Sequence, residues 1–248
     1  MQKRVPRWLV LVVAGVVAIT VSASATTNVI GSAGAGWQAW SAPNEDGSPY
    51  WDNKSADGSK MNIGYFLSKT GGFSSHPASP AITPDWWGYN DLAGSADLNF
   101  HFQSALSQAV KLYIEVAGYA NINELGWYDV SNPSVGGVIF PGPAGAGATA
   151  VFSPSLNFGL YIKTAGGVKY YTQSTLNPAA ETNHQHFALF KEAPGVYWIG
   201  VEDKPANTGE GFGGDYNDMV IRMAVVPEPA TMSLFALGLL PLLRRRKA

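Results

Sequence analysis

The chain has 248 residues, with 16 Lys or Arg against 18 Asp or Glu, and no cysteine. Such a length supports a core by burial alone, without disulfides, and the missing thiolates exclude a cysteine-based structural zinc site. Seven of the basic residues sit in the first seven and last five positions, so nine face all 18 acidic residues in between; that acidic body disfavours a nucleic-acid partner and favours divalent cations.

Residues 1–25 open with Lys3, Arg4 and Arg7, continue through an apolar run at 8–21 broken by Gly15 and Thr20, and close on Ala23-Ser24-Ala25. This order reads as a secretory signal peptide cleaved after Ala25, with a retained N-terminal anchor as the alternative. Residues 27–225 then read as one domain. Short alternating runs punctuated by Gly, Pro, Asn and Asp, with 12% aromatic and only 14% charged residues, predict an all-β fold: a single, jelly-roll-like β-sandwich with Gly/Pro-rich loops. The predicted strands are 62–67, 98–102, 109–117, 125–130, 157–164, 168–173, 186–190, 195–202 and 218–225. The clearest is 109–117, where Val110, Leu112, Ile114 and Val116 alternate with Lys111, Tyr113 and Glu115 and predict one apolar face. Residues 103–109 are the one place for a turn of helix. The Gly-, Pro- and Ala-rich stretch 132–150 reads as a long surface loop, or else as a linker between two small domains. Leu125-Gly126-Trp127-Tyr128 is echoed by Phe158-Gly159-Leu160-Tyr161, as two hairpins in opposite sheets would produce; two copies do not make a repeat architecture.

Trp37, Trp40, Tyr50, Trp51, Trp86, Trp87 and Tyr89 crowd the first half. Trp86 and Trp87, between Pro84 and Gly88, suit a platform for sugar rings, with Asn90 and Asp91 bonding hydroxyls; the alternative is that these rings are core. His184 and His186 fall on one face of a strand, a zinc or copper pair that lacks a third ligand at convincing spacing. The densest donor set is 202–218, EDKPANTGEGFGGDYND. Glu202, Asp203, Glu210, Asp215, Asn217 and Asp218 offer oxygens on a glycine-rich backbone, which suits calcium. The spacing is not that of an EF-hand, and the competing reading is a hairpin whose Asp and Asn bond local amides. In a regular strand Asp215 and Asn217 share a face and Asp218 takes the other. No nucleophile elbow, His-Glu-x-x-His pair or phosphate-cradling loop occurs. Asp46 and Asp52 are the nearest thing to a glycosidase pair, and no catalytic residue is assigned.

The tail, 226–248, joins Pro227, Glu228 and Pro229 to a short apolar run at 230–243 and then to Arg244, Arg245, Arg246 and Lys247. The run is shorter than the roughly 20 residues of an ordinary span, and the basic cluster sits where a cytoplasmic flank is expected. This three-part order resembles the PEP-CTERM sorting signal. The resemblance implies export through the secretion translocon by a Gram-negative bacterium that makes extracellular polysaccharide. It also implies transient inner-membrane anchoring by a short transmembrane helix, then processing by an exosortase. The body resembles PEP-CTERM proteins of unassigned function, through residues 48–52, 62–67, 124–128, 158–161 and 186–221. Within it, 213–218 is similar to an Asp-aromatic-Asn-Asp motif of bacterial extracellular domains, which often starts with an Asp where this chain has Gly213. The resulting expectation is a non-enzymatic, calcium-braced structural or binding protein of the cell surface or exopolysaccharide matrix. The alternatives are a carbohydrate-binding module using its Trp residues and a secreted glycan-active enzyme. Expected partners are the exosortase, the translocon and, as a candidate, exopolysaccharide.

Overall fold

The computed structural model describes residues 26–32, 37–39, 63–68, 80, 82, 86–88, 99–115, 121–182, 184–205 and 216–226. The described strands are β1 (Asn28–Ser32), β2 (Trp37–Ala39), β3 (Trp86–Gly88), β4 (Asn99–Gln103), β5 (Gln108–Glu115), β6 (Glu124–Asp129), β7 (Gly136–Phe140), β8 (Thr149–Phe152), β9 (Asn157–Lys163), β10 (Lys169–Tyr171), β11 (Phe187–Ala193), β12 (Val196–Val201) and β13 (Met219–Val225). They pair antiparallel in two packed sheets, as the alternating pattern predicts. The first sheet runs β1-β4-β9-β6-β7 with β10 also on β9; the second runs β2-β3-β11-β12-β13-β5-β8.

The inner faces follow the period-2 rule. Phe158, Leu160 and Ile162 of β9 meet Leu189 of β11, Ile199 of β12 and Ile221 of β13 in one buried cluster. The second sheet is apolar on both faces: Ala188, Phe190, Trp198 and Val220 point outward into a second cluster with Ile63, Phe66 and Leu67. Those last three belong to a short helix, α1 (Ile63–Ser68), where a strand over 62–67 was expected. Their spacing, i, i+3 and i+4, puts all three on one side of a helix, and Phe66 meets Trp198 edge-on at 6.3 Å.

Other expectations are corrected. Ile114 does not share a face with Val110 and Leu112. A bulge between Val220 and Ile221 leaves Tyr113 without a partner, pairing Val220 with Ile114 and Ile221 with Leu112. The extra residue turns Ile114 outward, into the cluster under α1. Residues 103–109 make a tight link rather than a helical turn, with Leu106 N–H on Ser104 Oγ and Gln108 Nε2 on the Leu106 carbonyl. The stretch 132–150 holds the edge strand β7 and the start of the edge strand β8. Their glycines and exposed valines, Val138 and Val151, resemble loop composition because an edge strand has only a partly covered face.

The Leu-Gly-Trp-Tyr echo lies in neighbouring strands of one sheet, not in opposite sheets. β6 and β9 pair Gly126 with Tyr161 and Tyr128 with Gly159, so each tyrosine ring lies over the other strand's glycine. A Cβ on Gly126 would stand 2.2 Å from the Tyr161 ring, and one on Gly159 would stand 2.2 Å from that of Tyr128.

Candidate functional site

β12 and β13 are antiparallel neighbours, so the residues that leave β12 lie beside those that enter β13. Glu202 and Asp203 follow Val201 directly, and Asp218 precedes Met219. One carboxylate oxygen from each of the three lies within 4.8 Å of the others. The Asp203 backbone N–H donates to Asp218 Oδ2 at 2.9 Å, which fixes their approach. Glu202 and Asp203 are buried. The Asp203 acid is raised, first by burial and then by the negative charge of Asp218, the expected response of carboxylates gathered out of water.

The backbone is turned into this cluster at Tyr216, whose φ of 50° is left-handed. For a tyrosine this conformation costs on the order of 1–3 kcal/mol. It is held by burial of the ring and by its hydroxyl, which donates to the Gln185 carbonyl at 2.9 Å. Gly200 makes room, since a Cβ there would stand 2.4 Å from the Tyr216 carbonyl oxygen. Asn217, next along, is buried and bridges to Val201.

A second layer ties the cluster to β11. Glu202 N–H donates to the His186 carbonyl at 3.0 Å, while His186 Nδ1 lies 3.0 Å from the Glu202 carbonyl. The other ring nitrogen, Nε2, lies 3.3 Å from Glu181 Oε2, and the Tyr170 ring stacks on the imidazole at 3.6 Å. A carbonyl only accepts, so Nδ1 carries a hydrogen. Both nitrogens of His186 are thus engaged within the protein, at the Glu202 carbonyl and the Glu181 carboxylate.

The structure thus brings together Glu202, Asp203 and Asp218, with Asn217 alongside; Glu210 and Asp215 lie outside the described residues. It also adds a residue that sequence reading missed. Asn123, just before β6 in the first sheet, donates from Nδ2 to Asp203 Oδ2 at 2.6 Å. A lone asparagine at a strand start carries no local signal of a partner 80 positions away. Trp86 and Trp87 stand in β3, paired to β2 on one side and to β11 on the other, rather than in a Pro/Gly loop. Their side chains and Asn90 lie outside the described residues, as do Asp46, Asp52 and the tail residues Pro227, Glu228, Pro229, Arg244, Arg245 and Arg246. No helix among the described residues is long and apolar enough to cross a membrane.

Residues 225–247 match the family model of the PEP-CTERM protein-sorting motif, which therefore starts on the last residue of β13. No curated protein and no solved structure matches the chain.

Proposed function

We propose that this chain, an exported protein sorted by an exosortase and directed to the cell surface through its PEP-CTERM motif, works outside the cytoplasm as a non-catalytic component of the surface or exopolysaccharide matrix. In this reading the carboxylate cluster braces the fold around a calcium ion. The observation that carries it is the direct succession of β13 and the sorting motif at Val225. Body and motif are one covalent chain, so the folded body is delivered wherever the motif directs it. The imidazole beside the cluster supports a structural part for His186, because both its nitrogens are engaged, with Glu202 and Glu181.

Intact-mass analysis of the protein recovered from its native cell fractions tests this. The expected species begins beyond residue 25, lacks the tail after the Pro-Glu-Pro motif, and is found with the surface or matrix. A species running from Met1 to Ala248 in the soluble cell interior would overturn the reading. Incubation with the host exopolysaccharide is expected to release no product.

A further inference from the structure

Resting on the calcium reading above, a second feature of the same cluster reaches further. Glu202, Asp203 and Asp218 all belong to the second sheet, following β12 or preceding β13, whereas Asn123 enters β6 of the first. The hydrogen bond from Asn123 to Asp203 therefore crosses from sheet to sheet. Asn123 is 2% exposed, and its amide oxygen has no hydrogen-bond partner; neither has the second carboxylate oxygen of Asp203, itself 5% exposed. Sealed acceptors without donors are rare in folded proteins, and an unseen water or ion is the usual explanation. Three carboxylates alongside favour the ion over the water. The donors are all oxygens, and the imidazole that touches the cluster is already engaged, so the chemistry is that of a hard cation with flexible coordination, calcium before magnesium.

We infer that calcium held by Glu202, Asp203 and Asp218 also takes the Asn123 amide oxygen, so that the ion clamps the first sheet to the second at this end of the sandwich. His186 is a positioning residue in this arrangement: its paired bonds with Glu202 hold the backbone from which two of the carboxylates hang. The clamp closes where calcium is plentiful, so a chain that leaves the cytoplasm is stiffened at its destination.

The test uses the full chain in mild detergent, with radioactive calcium retention and amide hydrogen exchange measured in calcium and in chelator. Wild type is expected to retain calcium, which slows exchange at the start of β6 as well as after β12. Asn123→Ala is expected to lose at least about tenfold in affinity and the protection at β6. If wild type retains no calcium, the calcium reading and the clamp both fail. If wild type and Asn123→Ala bind equally and β6 does not respond, the clamp alone is overturned. Should Asn123→Ala not fold, Asn123→Asp keeps an oxygen and adds a charge. It is expected to unfold more readily in chelator and to recover in calcium; equal stability in both overturns the clamp.

Discussion

Gly126 and Gly159 show how much a single missing Cβ decides in this chain. In an unremarkable strand, replacing glycine with alanine gains about 0.5–1 kcal/mol by reducing the freedom of the unfolded chain. At Gly126 the added carbon falls 2.2 Å from the Tyr161 ring, which is itself covered by Lys169 Nζ 4.0 Å from its centroid and tied through its hydroxyl to Glu124. The ring has nowhere to go. Gly126→Ala is therefore expected to destabilise by about 1–3 kcal/mol, read as a lower urea midpoint. Gly145→Ala, where nothing lies within 4 Å, is expected to be neutral or slightly stabilising. Glu115 makes a second prediction at this scale. Burial raises its acid to about 7, and one carboxylate oxygen is sealed without a partner. The folded chain keeps a proton there that the unfolded chain releases at ordinary carboxylate pH. The stability it contributes is full below the unfolded range and is lost as pH rises toward about 7. Glu115→Gln is expected to flatten the pH dependence of the unfolding midpoint across that window; an unchanged slope would assign the loss to other groups.

At the scale of elements, what could be read in advance depended on how each strand is buried. β4, β6, β9, β10, β11, β12 and β13 announce themselves through alternation or short apolar runs, because their neighbours cover them in the way the period-2 rule assumes, and β5 does so up to Leu112, where the bulge breaks its alternation. The edge strands β7 and β8 do not, since half-covered backbone tolerates Gly136, Gly137 and an exposed Val151. α1 is legible in principle: Ile63, Phe66 and Leu67 sit at helical spacing, but a six-residue run with Tyr65, Phe66 and Leu67 in succession satisfies a buried-strand pattern equally well. The second sheet decides it, because Phe190 and Trp198 face outward and need a cover. Phe66→Ala removes a fully buried ring from that cover and is expected to cost about 3–5 kcal/mol, measured by urea denaturation. A loss well below 1 kcal/mol would mean that α1 is not what seals this face.

For the molecule as a whole, the two ends and the middle differ in how openly they state their purpose. The sorting motif is local in sequence and is recognised by its order of residues, so residues 225–247 declare export and exosortase processing outright. The carboxylate site is half legible. Glu202, Asp203 and Asp218 stand out as donors in one loop region, and the adjacency of β12 and β13 brings them together. The fourth member is Asn123, whose side-chain amide donates to Asp203 across the sheets; the packing of one sheet on the other places it there, and no spacing rule in the chain encodes that contact. The fold therefore turns a loop rich in carboxylates into a joint between sheets. The most direct test of that joint is a crystal structure of the protein grown in calcium, with an anomalous difference map. A peak in contact with oxygens of Asn123, Glu202, Asp203 and Asp218 is expected. A peak bound by the second sheet alone, or only water between these side chains, would contradict it.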